Sequence, residues 1–101
     1  MNLNELTQKI EQWAIDRNLH TAEPRSQMLK VVEELGEVAE GMAKNDRNKT
    51  IDGIGDLYVT IVLLAMQQDL DIRDCINVAY DEIKDRKGKV IDGVFVKKED
   101  L

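Results

Sequence analysis

The residues of this chain whose types and spacing could do chemistry are two short runs of acids. On a helix, Glu33, Glu34 and Glu37 would project over adjacent turns of one broad face, and Asp52 and Asp56, four apart, would do the same further along. Like charges at such spacing repel. Burying ionised carboxylates without partners is costly, so the acids must either face water or be neutralised by a cation. Mg²⁺, a hard ion that takes oxygen ligands and keeps positions open for substrate phosphates, suits such a cluster. The competing reading is a solvated helix face in which Glu33, Glu34, Glu37 and Glu40 are relieved by Lys30 and Lys44. Two features favour the metal. Asp56 abuts the mostly apolar run Leu57 to Met66 and is expected to be semi-buried, and a solvated face explains neither that position nor Gly53 and Gly55.

The two runs also echo one another: Leu35-Gly36-Glu37-Val38 is matched in type by Ile54-Gly55-Asp56-Leu57. A glycine inside a helix costs up to about 1 kcal/mol against alanine, so paired glycines call for a close approach of two backbones. The expectation is an antiparallel pair of helices crossing at Gly36 and Gly55, with Glu37 and Asp56 converging beside the crossing.

Four helices are needed to position these residues. Asn2 and Glu5 have capping-box spacing, and Leu3, Leu6, Ile10, Trp13 and Ala14 recur at helical intervals, giving a first helix to about Asn18. Pro24 opens a second, ending near Lys44, whose stripe is Met28, Leu29, Val32, Leu35, Ala39 and Met42. After the polar break Asn45 to Lys49, Thr50 or Asn48 is the expected cap of a third helix through Met66. Asp71 and Asp74 start a fourth, with Ile72, Cys75, Ile76, Ala79 and Ile83 as its buried stripe and Gly88 as its end. Beyond it, Val90-Ile91, Asp92-Gly93 and Val94-Phe95-Val96 have the form of a two-residue β-hairpin, which is marginal alone and is expected to pack on something. Trp13, in its apolar stripe, reads as core.

Composition limits the possibilities further. The 101 residues carry a formal charge of −6, with 43% apolar and 34% charged side chains but only one proline and 4% aromatics, which fits one all-α domain over residues 1–101, with 88–101 as its tail. A chain of this size buries about 65% of its extended surface, enough for one modest core. An acidic protein is a poor ligand for nucleic-acid polymers or anionic membranes. A lone cysteine, Cys75, excludes an internal disulfide, and neither Met1 to Lys9 nor the longest apolar run has the form of a signal or a membrane span, so a cytoplasmic setting is expected. Gly53 and Gly55 are not followed by the Lys-Ser/Thr of a P-loop. The third helix is apolar nearly all round from Leu57 to Met66, which predicts a homodimer or a dimer of dimers.

These residues resemble the MazG-like all-α nucleoside triphosphate pyrophosphohydrolases, relatives of the dimeric all-α dUTPases. The family pattern is Glu-Glu-x-x-Glu on one helix and Glu-x-x-Asp on the next. Glu33-Glu34-Leu35-Gly36-Glu37 fits the first half, and Asp56 fits the last position of the second. The chain departs at Gly53, where the pattern has Glu. Asp52, one residue earlier, lies on a neighbouring side of the same turn, as in a small phage-like subgroup with Asp-x-x-x-Asp. Ile83-Lys84-Asp85-Arg86-Lys87-Gly88 and Gly93-x-Phe95 resemble that subgroup as well.

The resemblance implies a four-helix MazG-like bundle that hydrolyses a nucleoside triphosphate to the monophosphate and pyrophosphate. It implies Mg²⁺, with Mn²⁺ as a substitute, on Glu34, Glu37 and Asp56, with Asp52 as a replacement ligand and Glu33 as a ligand or the base that orients water. Lys30, Lys84 and Lys87 are the candidates to hold phosphates, or else ordinary surface lysines. Sites in this family are often built from two subunits, which would let the hairpin reach a neighbour. A different class remains open: a non-catalytic acidic helical protein, either a degenerate MazG fold or a mimic of phosphate charge that binds a basic partner.

Overall fold

The computed structural model describes residues 1–101, and each of its four α-helices begins at a side chain that satisfies free backbone N–H groups. Helix α1 spans Leu3–Asp16, with the Asn2 side chain accepting from the Glu5 N–H at 2.8 Å. Helix α2 spans Pro24–Ala43 behind Glu23. Helix α3 spans Arg47–Met66 and is capped by Asp46, not by Asn48 or Thr50; Thr50 lies inside its first turn and donates its hydroxyl to the Asp46 carbonyl at 2.9 Å. The cap places Lys49 within the helix. Helix α4, Ile72–Ile83, follows Asp71 and stops before the expected Gly88. Gly88 instead opens strand β1, Gly88–Ile91, where a Cβ would collide with the Val96 carbonyl and the Phe95 ring. Strand β2, Val94–Lys97, pairs antiparallel with β1 through a turn in which Asp92 and Gly93 have φ of 51° and 78°, the left-handed values of a type I′ hairpin.

Helices α2 and α3 form the dominant contact, antiparallel, and three points fix their register. Gly41 lies against Thr50, Gly53 against Val38, and the Gln27 side-chain amide donates to the Thr60 carbonyl at 3.1 Å. A Cβ at Gly41 would stand 2.8 Å from Thr50 Oγ1 and 2.9 Å from its backbone nitrogen. One at Gly53 would stand 2.9 Å from Val38 Cγ2. The expected crossing at Gly36 and Gly55 is therefore corrected: nothing lies within 4 Å of either. The register anticipated for that pair holds, but at 100° per residue Gly36 is turned about 200° from Val38 and sits on the far face.

Burial is sparse. Val62, Ala65 and Ile72 make a small core, flanked by Ile10, Tyr58, Ile61 and Met66, and a hydrogen bond of 2.7 Å joins Thr7 to Tyr58 between α1 and α3. The α2 stripe expected to be core faces outward, with Leu29 71% and Met42 65% exposed. Cys75 is exposed, as are Ile76 and Ile83 on the same helix, and Trp13 is 43% exposed rather than core. The hairpin has no substantial packing against the helices, and Val90 and Val94 face solvent. A compact monomer of 11.5 kDa would expose about 5,800 Å², whereas this chain exposes 7664 Å². Its radius of gyration is 16.2 Å against about 13 Å for a compact domain of this length. A single copy does not cover its own apolar stripes.

The close crossing predicts that Gly41→Ala destabilises the protein despite alanine's better helix propensity. Overpacking against Thr50 should outweigh that gain and leave a net loss of about 1–2 kcal/mol, read by calorimetry as a melting temperature lower by roughly 5–10 °C. An unchanged or higher melting temperature would contradict the crossing.

Candidate metal centre

The α2–α3 register sets Glu34 beside Asp56. Around them a cleft of about 190 Å³ is lined by Glu33, Glu34, Glu37, Lys49, Asp52, Gly53 and Asp56, with no apolar side chain in its wall. All five carboxylates anticipated from the sequence are thus brought to one place. Gly53 is the floor between them, buried under Val38, so this position has no room for the longer acid of the family pattern. Asp52 is exposed at the rim, one residue before it.

The acids do not share one electrostatic state. Glu40, outside the cleft, is bonded by Lys44 at 2.7 Å and by Lys49 at 3.1 Å, and those lysines hold its carboxyl below the usual range. Glu33 has Lys30 at 3.6 Å. Glu34 has no cation. Its carboxyl is pushed up by burial first, then by the charges of Asp56, Glu33, Glu37 and Asp52. Asp56 is pushed up in the same way, by burial and by the adjacent Asp52 carboxyl. These two partly buried acids carry the repulsion of the cluster, which the solvated-face reading does not explain.

Lys49 is a residue that sequence reasoning missed. Its ammonium lies 3.2 Å from Glu37 and 3.1 Å from Glu40, and these bonds, to Glu40 first, hold it protonated above the ordinary lysine range. Reading Asn45 to Lys49 as a turn concealed it; with Asp46 as the cap, Lys49, Asp52 or Gly53, and Asp56 fall at helical intervals on one face. Of the lysines anticipated to hold phosphates, Lys30 stands one turn from Glu33 and Glu34. Lys84 and Lys87 lie beyond the last turn of α4 and do not line the cleft of their own chain; Lys84 pairs with Asp81 at 3.3 Å.

Chemically the cleft offers hard oxygen donors, of which Glu34, Asp52 and Asp56 have no lysine partner, the ligand type of Mg²⁺ or Mn²⁺ rather than of a soft metal. As the side chains stand, no three acids are close enough to grip one ion together. Glu33, Glu37 and Asp52 are exposed and can change rotamer, while Glu34 and Asp56 are partly buried.

A mostly helical fold whose central helix pair gathers carboxylates defines a class, and the sequence comparison assigns it. The MazG nucleotide pyrophosphohydrolase domain matches residues 22–91, which include α2, α3, α4 and β1, and the chain belongs to that family. Helix α1 lies outside the matched region. A protein of Haemophilus phage HP1 (strain HP1c1), described as an uncharacterized 18.2 kDa protein of the rep-hol intergenic region, is 45% identical over 71 residues, 69% of this chain and 44% of that protein. The chain therefore spans less than half of that relative's length. No solved structure matches. No helix is long and apolar enough to cross a membrane.

The raised carboxyls give a pH signature. A carboxyl that titrates higher in the folded than in the unfolded state favours folding at low pH, and that contribution is lost as pH rises through the folded value. At neutral pH the unneutralised cluster is therefore destabilising. In chelator at pH 7, Glu34→Gln should melt at a higher temperature than wild type, and the gap should close as pH falls below the ordinary glutamate value to about 3, where glutamate is protonated in both states. A variant less stable than wild type at pH 7 would mean that Glu34 is well paired.

Proposed function

We propose that this chain hydrolyses a nucleoside triphosphate to the monophosphate and pyrophosphate, using Mg²⁺ or Mn²⁺ held by Glu34, Glu37, Asp52 and Asp56. The observation that carries the reading is the pair Glu34 and Asp56, partly buried, mutually repelling and without a lysine between them. A binding surface for a basic partner needs its acids spread and solvated. Here they converge on a cleft across a helix crossing that two glycines make possible. Glycine at position 53 is explained by that crossing, so the departure from the family pattern does not require loss of function.

In the reaction, the anhydride between the α- and β-phosphates breaks; water gives its hydroxyl to one fragment and its proton ends on a base. When bound, the cation supplies charge neutralisation for the phosphates. The chain's own residues do the rest. Glu33, exposed at the cleft wall, accepts a hydrogen bond from water and orients it. Lys30 holds phosphate oxygens at the rim.

Lys84 and Lys87 would come from a second copy. The excess of roughly 1,900 Å² over a compact monomer's surface is of the size that obligate dimers bury, and Leu29, Met42, Ile51 and Ile54 are among the exposed apolar side chains that could bury it. A homodimer or dimer of dimers then completes both the core and the phosphate site. Nucleotide chemistry and one unpaired cysteine fit a cytoplasmic setting.

Incubation with a panel of ribo- and deoxynucleoside triphosphates and Mg²⁺, followed by ³¹P NMR, should give monophosphate and pyrophosphate, with the rate falling at least about 100-fold in Asp56→Asn. Orthophosphate as the first product, or an Asp56→Asn variant as fast as wild type, would sink the assignment. Sedimentation should show no stable monomer at micromolar concentration; a monodisperse 11.5 kDa species would refute the two-copy site.

A further inference from the structure

The formal charge of −6 is an average over two unlike parts of the chain. From Lys84 to Lys98 there are six basic side chains and two acids, a net +4, which leaves −10 on the other residues. Lys84 and Arg86 are paired with Asp81 and Glu82 at 3.3 and 3.4 Å, whereas Lys87, Lys89, Lys97 and Lys98 have no acid within ion-pair distance. The hairpin that carries them does not pack substantially on the helices. In the register of its strands, Val90, Phe95 and Lys97 share one face, and Lys89, Ile91, Val94 and Val96 the other. The Phe95 ring lies over Gly88, where a Cβ would come within 2.7 Å of it, and the residue is 47% exposed. Beside that ring a recess of about 310 Å³ is lined by Ile83, Arg86 and Phe95, at the lower end of the volumes of small-molecule sites.

We propose that the hairpin binds single-stranded nucleic acid, with one base in the recess between Phe95 and Arg86 and backbone phosphates on Lys89, Lys97 and Lys98. The site lies on different elements from the acidic cleft and does not depend on the reading of that cleft. A guanidinium plane and a phenyl ring both stack on a base, and such stacking accepts any base because each has a π-face. Unpaired ammonium groups beside the recess displace counterions from phosphates, the source of salt-dependent affinity for polyanions. A duplex is the poorer ligand: Val90, Ile91, Val94 and Val96 offer no hydrogen-bonding group to a base edge, and paired bases are not free to enter a recess. A lipid surface is also poorer, since Asp92 puts a carboxylate at the turn that would enter it. The negative charge on the rest of the chain is screened beyond about 8 Å at physiological ionic strength, so the hairpin presents its local sign.

Fluorescence anisotropy tests the proposal. The full chain is titrated, in chelator, into dye-labelled oligothymidylate, the matching oligouridylate and a mixed-sequence duplex of equal charge, with inorganic polyphosphate and anionic vesicles as competitors. The expected result is saturable binding of both single strands, at least about tenfold tighter than of the duplex or of either competitor. The plot of log K against log[salt] should have a slope of about −2 for three phosphate contacts, and the double variant Lys89→Gln, Lys97→Gln should lose about 1.4 of it. Phe95→Leu, which keeps an apolar side chain over Gly88 but no π-face, should weaken binding roughly tenfold and leave the slope unchanged. Absence of saturable binding overturns the proposal. So does equal affinity for single strands, duplex and polyphosphate, which would mark a response to charge alone. Tighter binding to vesicles than to strands would overturn it in favour of a lipid surface, and wild-type affinity in Phe95→Leu would contradict a base in the recess. None of these readouts uses triphosphate hydrolysis, so failure of the enzymatic reading and failure of this one are distinguishable.

Discussion

Glu34 and Asp56 face one another because two helices approach more closely than side chains ordinarily permit, and most of the molecule's chemistry depends on that approach. Gly41 under Thr50 and Gly53 under Val38 remove the Cβ atoms that would hold α2 and α3 apart. The cost is concentrated on two partly buried carboxylates, whose proton affinity is raised by burial and by their neighbours. Other acids nearby are relieved by Lys30, Lys44 and Lys49, so the cluster is divided into acids paired with a lysine and acids without one. In the proposed function, stability and metal binding pull in opposite directions at this point.

Surface area is the second constraint. Apolar stripes on α2 and α4 that would make a core in a closed bundle are exposed in the single chain, and the hairpin extends without support. The same arrangement leaves Lys84 and Lys87 away from the carboxylates they would complement. In the proposed two-copy assembly a further copy would cover apolar surface and bring lysines to an acidic cleft.

Much of this was legible in the sequence where the determinants are local. Asn2 and Asp71 as caps, Pro24 in a first turn and Asp92-Gly93 in a two-residue hairpin each follow from backbone chemistry within a few residues. The spacing of Glu33, Glu34 and Glu37 placed them on one face, and family membership follows from that motif and its setting. Long-range geometry was less accessible. Periodicity could not say which face of α2 meets α3, so Gly36 and Gly55 were expected at a crossing that Gly41 and Gly53 make. The Asp46 cap moved Lys49 from a turn into the cleft. Apolar stripes such as Met28 to Met42, and Cys75 on α4, read as core because helical spacing alone does not say which apolar face the chain covers, and these faces are exposed.

In the proposed function, Glu34 and Asp56 together hold a divalent cation. The decisive experiment is calorimetric titration of Mg²⁺ into wild type and into the double variant Glu34→Gln, Asp56→Asn, at pH 7 and without nucleotide. Saturable binding to wild type and none to the double variant is the expected outcome. Equal binding to both, or binding to neither, would contradict it.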